Sequence, residues 1–308
     1  MSKILVIGSS NTDLIAQVNN FPKAGETIKG VSYSQAMGGK GANQALAAHK
    51  LGGDVKFITC LGQDANGKNS LEYFKKEHLD VSSSLIVDDA PSGTAVILVD
   101  SSGENCIVIT PGANDRLTPE YVHQVEKEIA AADIVVLQME IPYESVKAVC
   151  ELAFRHKKKI MLNVAPACKL DSELLGMIDI LIVNETEAET ISGKKIEVEG
   201  KKKVIDKLLS MGAKTVVLTL GKNGCMLKDA STEITTEAFK VEAVDTTSAG
   251  DTFCGALAAR LSKGEGWESA LKFASASSAI GVTRMGAQPS VPSENEVLVF
   301  LEKQLVNS

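Results

Sequence analysis

The 308-residue chain has no excess of positive charge: 32 Lys and Arg stand against 39 Asp and Glu, a net charge of −7. A general role on nucleic acid or an anionic membrane surface is disfavoured on that ground. Two short basic runs, Lys157-Lys158-Lys159 and Lys201-Lys202-Lys203, each sit near a helix end and read as solvated faces. None of the six cysteines (Cys60, Cys106, Cys150, Cys168, Cys225 and Cys254) forms a C-x-x-C pair, and four lie among apolar residues. They read as scattered buried thiols in a reducing cytosol. The four histidines lack H-E-x-x-H or similar spacing, so no transition-metal site is expected. No apolar run approaches the ~18 residues of a membrane span, and the first residues enter a strand-like run without a signal peptide. A soluble, cytoplasmic protein is expected, with no nucleic-acid or membrane partner.

What is present is enough for a large core. Hydrophobic residues make up 44% and charged residues 23%, and the length allows one large domain or two. Near-continuous apolar runs at Lys3–Gly8, Val55–Gly62, Asp133–Met139, Lys159–Val164, Asp179–Asn184 and Lys214–Gly221 read as parallel strands covered on both faces. Helical stretches lie between them. Thr118–Ala132 opens on a Thr cap and a proline. Pro142–Lys157 sets Val146, Val149, Cys150 and Ala153 on one stripe. This alternation predicts an α/β fold: a doubly wound, mostly parallel central sheet with helices on both faces. Residues 12–37 and 92–110 break the pattern. They read as a small β-sheet projecting from the main body, a lid over a ligand or a dimer contact.

Two common nucleotide signatures are missing. Ser34 stands where a Walker A loop needs its first glycine, and Gly41 follows Lys40. The first strand is followed by the single glycine Gly8, not by G-x-G-x-x-G. Four other stretches carry candidate chemistry. In "VDTTSAGDTF", Ser248, Ala249, Gly250 and Asp251 precede a stripe of Phe253, Leu257 and Leu261 at helical spacing. They therefore open a helix whose first N–H groups and dipole suit a phosphate. "AMGGKGANQALAAHKLG" is a glycine-rich turn into a helix. "VNETEAE" places Asn184 and Glu187 at a strand's carboxyl end, where an amide and a carboxylate suit a hydrated Mg²⁺. "TLGKNGC" is a glycine-rich turn between two strands, able to pass close to a nucleotide. Taken singly, the first three also fit, respectively, an acid in a first helical turn, a tight turn and an ordinary helix start.

Their order and identity resemble the ribokinase-like (PfkB-type) carbohydrate kinases. "GGKGANQALAA" looks like that family's N-terminal signature, "DTTSAGDTFCGAL" like its C-terminal one, and "NETEAE" like its N-x-x-E motif. "GQDANG" is also family-like, and the likeness runs from residue 4 to about 292. "GSSNTDL", "MGGKGANQA" and "VTRMGAQPSVP" look closest to the branch that phosphorylates D-ribose.

The resemblance implies transfer of the γ-phosphoryl of ATP to the 5-hydroxyl of D-ribose in one ribokinase-like domain over residues 1–308. Asp251 would be the general base, with the amides of residues 248–251 as anion hole. An ordinary aspartate, with a pKa of about 3.9, suffices because the transition state is loose. Asn11, Asp13, Gly39, Lys40, Asn43 and Glu140 would grip the sugar. Asn184, Glu187, Thr219, Gly221, Gly224, Gly250 and Ser275 would line the nucleotide and Mg²⁺ site, with Glu187 reaching the ion through water. Asp245 and Thr247, with Gly281, Arg284, Gly286 and Ser290, would hold a monovalent cation, K⁺. A homodimer through the lid is expected. The family usually has Gly or Ala where this chain has Ser248. Kinases for deoxyribose or another sugar or nucleoside, and a non-catalytic ribose- or nucleotide-binding regulator, are the competing readings.

Overall fold

The computed structural model describes residues 2–306. An eight-stranded sheet runs through it. In spatial order its strands are Glu233–Thr236, Cys225–Lys228, Thr215–Thr219, Ile180–Asn184, Lys159–Asn163, Ile134–Leu137, Lys3–Ile7 and Asp54–Ile58. The last six pair in parallel, and the first two form an antiparallel edge. Strand alternation sorts side chains between two cores. Leu5 and Ile7 pack with helices Tyr143–Arg155 and Lys201–Ser210. Ile4 and Val6 pack with helices Lys40–Lys50, Ala249–Ser262 and Trp267–Gly281. Both faces are therefore covered, which is why the strands read as unbroken apolar runs.

The order of strands reverses at Lys3–Ile7. Asp54–Ile58 lies on one side of it, and the later strands build out from Ile134–Leu137 on the other. Such a switch point opens a crevice at the carboxyl ends of the strands. Here those ends lead into Ser9–Asn11 and Gln138–Glu140.

A second sheet has the order Ser32–Gly38, Asn11–Gln17, Gly93–Val99, Asn105–Thr110. It coincides with the two regions that broke the sequence pattern. Its last strand is exposed along its whole length.

Two expected elements are divided. The run 55–62 is not one strand. Thr59 donates its N–H to Ser84 Oγ (3.2 Å) and accepts from Leu85 N–H (2.9 Å). That steers Cys60–Gly62 out of the main sheet to pair with Leu85–Val87. The helix expected over 118–132 breaks at Val125 into Pro119–Gln124 and Glu126–Ala131. The Val125 N–H is shared between Tyr121 O and Val122 O, both at 3.2 Å, so the turn tightens there. The cysteines are free, and four of them are buried. No helix among the described residues is long and apolar enough to cross a membrane.

Helices Lys40–Lys50 and Ala249–Ser262 cross at Gly255. A Cβ there would lie 2.6 Å from Gln44 O, 2.6 Å from Ala47 Cβ and 2.7 Å from Ala48 N. Two of these are backbone atoms, so a side chain has nowhere to go. Gly255→Ala is expected to destabilise the fold by about 1–3 kcal/mol, the range for overpacking. An unchanged thermal midpoint would show that the helices can part freely.

Candidate active site

Asp251 is the third residue of helix Ala249–Ser262 and is 5% exposed. Its Oδ1 accepts from Gln44 Nε2 (2.9 Å), and its Oδ2 accepts from Asn43 Nδ2 (3.0 Å) and Ser248 Oγ (3.2 Å). A carboxylate only accepts, so it dictates which way each amide points. The amide oxygens then face backward. Gln138 Nε2 donates to Gln44 Oε1 (2.7 Å), and Gln288 Nε2 donates to Asn43 Oδ1 (3.0 Å). Gln44 Nε2 also reaches Asn163 Oδ1 (3.1 Å). Gln44, Gln138 and Gln288 are wholly buried. Sequence reasoning missed these amides. Gln44 sits beside Asn43 and Gln288 lies within "VTRMGAQPSVP", both recognised stretches, but Gln138 and Asn163 lie in strand-like runs, and no shared spacing links the four.

The switch-point crevice gathers the residues expected to grip a sugar. Asn114 Nδ2 donates to Asn11 Oδ1 (2.8 Å), so Asn114, also missed, fixes Asn11. Glu140 Oε2 accepts from Ser9 Oγ (2.7 Å) and from the Lys40 N–H (3.0 Å). Gly39 turns the chain from the small sheet into the helix at φ 88°, where a Cβ would lie 2.7 Å from Asn11 N. Burial pushes the Asp13 carboxyl up to about 7, helped by the charges of Glu140 and Asp251 and opposed by Lys40. The Asp251 carboxylate holds the Lys40 ammonium above its ordinary value against burial, with Glu140 and Glu187 adding to it. Asn11, Asp13, Gly39, Lys40, Asn43, Glu140 and Asp251 thus meet at one place.

On the other side of the Ala249–Ser262 helix start lies a cleft of about 730 Å³. Asn184, Thr219, Gly221, Gly224, Gly250 and Ser275 line it, together with the apolar Phe239 and Val282. Asn184 and Glu187 form a capping box: Asn184 Oδ1 accepts from Glu187 N–H, and the Glu187 carboxylate accepts from Asn184 N–H and Nδ2. Glu187 is buried, which raises its pKa, opposed by the bond from Asn184. No cluster of three or more His, Cys, Asp or Glu suited to a metal exists among the described residues. The Ala249 N–H makes a 3.3 Å turn contact with Thr246 O. Gly250 is exposed, and a Cβ on it would meet open space.

Asp245 joins two loops. Its Oδ1 accepts from Thr247 N–H (2.9 Å) and its Oδ2 from Gly286 N–H (2.8 Å). Burial pushes its pKa up, but these bonds outweigh that and leave it below the usual carboxylate range. Arg284 pairs with Glu296, and its N–H donates to Gly281 O (3.0 Å). Ser290 Oγ donates to Ala287 O (2.7 Å). A Cβ on Gly281 would lie 3.9 Å from each of Ser290 O, Ser290 Oγ and Thr252 Oγ1, so oxygens line the space beside it.

Asp13 is the acid most displaced by this environment. Its carboxyl carbon, followed by NMR, is expected to titrate near pH 7, neutral below and ionised above, and Glu140→Gln should bring the midpoint down. A midpoint near 4 would contradict the burial of Asp13 among neighbouring acids described above.

The arrangement has relatives. The profile of the pfkB family of carbohydrate kinases matches residues 1–294. Haemophilus influenzae ribokinase is 40% identical over 97% of this chain and 98% of its own length. A Salmonella typhi deoxyribokinase is 34% identical over 97% of this chain and 98% of its own. A solved structure of Arabidopsis thaliana ribokinase complexed with ribose and ATP superposes with a TM-score of 0.91 at 34% identity, covering 97% of this chain and 98% of that one. With two helix starts, a buried aspartate and a cleft in one place, and these likenesses over nearly its full length, this chain belongs to the pfkB family of carbohydrate kinases, in its ribokinase branch.

Proposed function

We propose that the chain transfers the γ-phosphoryl group of ATP to O5 of D-ribose, giving D-ribose 5-phosphate and ADP. The observation that carries this is the position of Asp251. It lies at a helix start, between the polar crevice at Asn11, Asp13 and Glu140 and the cleft at Thr219 and Gly250. The ribose-binding and ATP-binding relative supports the same assignment.

In this reading Asn11, Asp13, Gly39, Lys40, Asn43 and Glu140 hold the sugar. A pentose offers several hydroxyls, and a site built to pair them leaves its own polar groups unpaired when one is missing. Asp251, held by three donors, takes the proton of the attacking hydroxyl late, when the transition state is loose. The amides at residues 248–251, led by the unhindered Gly250, meet the charge spreading on the transferred group. Asn184, Thr219, Gly221, Gly224 and Ser275 line the nucleotide's place. The small sheet closes over the sugar and keeps water out, with Gly38 and Gly39 as its hinge.

Both oxygens of Glu187 are tied in its capping box, so this residue suits Mg²⁺ held through water rather than directly. Bound Mg²⁺ neutralises phosphate charge. The oxygens around Asp245, Thr247, Gly281 and Ser290, with the backbone at Arg284 and Gly286, suit a hard monovalent cation such as K⁺. Such an ion adds positive charge beside the anion hole. The free cysteines suit a reducing, cytoplasmic setting.

The test is ATP consumption across ribose, deoxyribose, hexoses and nucleosides, in K⁺ and in Na⁺. Ribose is expected to give the highest kcat/KM, with higher rates in K⁺ than in Na⁺. Preference for deoxyribose would move the chain toward the relative of that name, a reading its 34% identity keeps in view. Asp251→Asn should lower kcat by about 10²–10⁴ while sugar binding weakens less. Near-normal turnover would remove Asp251 from its role.

A homodimer through the small sheet is also proposed. Tyr33, Val96 and Val108 expose an apolar surface on one face of it, which a second copy would cover. Sedimentation should give twice the chain mass, and Val108→Asp should lower it. A monomer at all concentrations would rule this out.

A further inference from the structure

Ser248 opens the Ala249–Ser262 helix in a left-handed conformation, φ 61° and ψ 13°. A serine in this place ordinarily adopts an extended backbone and accepts a hydrogen bond from the second or third helical N–H. Here its hydroxyl accepts nothing from the helix. It donates instead to the side chain of the third helical residue, Asp251.

The three donors on Asp251 differ in how freely they can leave. Asn43 and Gln44 are consecutive residues of one helix, both buried, and each is held from behind by a buried glutamine. Releasing either would break an amide chain. Ser248 is half-buried, turns on a single side-chain bond, and makes the longest of the three contacts, at 3.2 Å. Oδ1 faces Gln44 and, behind it, Asn163 and Gln138. On Oδ2, Asn43 and Ser248 together engage both lone pairs. A hydroxyl arriving from the crevice therefore meets an oxygen whose one releasable partner is Ser248.

We propose that the Ser248 hydroxyl is a placeholder for the acceptor hydroxyl. Without sugar it occupies the lone pair of Asp251 Oδ2 that would otherwise activate water, and it gives up that position when the sugar binds. The inference rests on the reading of Asp251 as general base. The reaction it suppresses is hydrolysis. A water oxygen bonds to the γ-phosphorus, the bond from that phosphorus to the β,γ-bridging oxygen breaks, and the water proton passes to Asp251, leaving ADP and orthophosphate. Ser248 is thus a positioning residue, acting through the base.

The experiment measures orthophosphate release by the full chain with MgATP and no sugar, beside transfer to saturating D-ribose. Ser248→Ala and Ser248→Gly both remove the hydroxyl, and glycine alone relieves the left-handed backbone, which keeps a folded variant in hand. Both are expected to raise sugar-free hydrolysis roughly three- to tenfold, the range of one lost hydrogen bond, with transfer changing less. A merely structural role would lower both rates together, which overturns the proposal. A rise in the glycine variant alone would assign the effect to backbone strain and overturn it as well, as would no rise in either. Parent enzyme with no sugar-dependent turnover would remove the Asp251 reading itself. Parent enzyme with turnover, and variants with unchanged hydrolysis, would remove only the placeholder.

Discussion

The close crossing of helices Lys40–Lys50 and Ala249–Ser262 is the contact on which the site depends. Gly255 lets the second helix press against the backbone of the first, at Gln44 and Ala48. One turn toward the N-terminus of that crossing, Asp251 comes under Asn43 and Gln44. Residues more than 200 positions apart in the chain are joined by a contact too tight for a methyl group. Both helices also begin at the site, so their dipoles favour negative charge there; the first N–H groups of the Lys40–Lys50 helix are already taken by Glu140 and Ser9.

That positive field is set against a dense group of acids. Asp13, Glu140, Asp251 and Glu187 all act on Lys40 or on one another. Burial by itself disfavours the charged form of Asp13 most, and the charges of Glu140 and Asp251 add to it, so this carboxyl is raised to about 7. Neutral donors, the Asn43 and Gln44 amides and the Ser248 hydroxyl, hold Asp251 in place. A cation in their position would pair with the carboxylate's charge, whereas an amide orients the carboxylate without adding charge. Asp245 uses the same device with backbone, tying its own loop to the one at Gly286.

Much of the fold was legible in the sequence. The unbroken apolar runs became the parallel strands, and the interruptions at 12–37 and 92–110 became the small sheet. The Phe253, Leu257 and Leu261 stripe became the helix that carries Asp251. Two segments were not legible, for local reasons. Val55–Gly62 reads as one near-continuous apolar run, but the bonds at Thr59 depend on Ser84 and Leu85, which lie far along the chain. Thr118–Ala132 has a Thr-Pro start and periodicity, yet the Thr118 side chain makes no capping bond and the helix tightens at Val125. Asn184 and Glu187 were legible both as a motif and as a helix start, and their geometry is a capping box in full.

The sequence alone determined the alternation of strand and helix, because periodicity and the covering of both sheet faces are local consequences of composition. It determined which short motifs stand at helix starts and strand ends. Tertiary structure decided the rest. Gln138, Asn163 and Gln288 are ordinary amides in separate segments until the sheet and the crossing helices bring them behind Asp251. Ser248 is a small residue in a motif until a left-handed backbone turns its hydroxyl onto the carboxylate. The direction of a hydrogen bond depends on what stands opposite, and in this site what stands opposite comes from elsewhere in the chain.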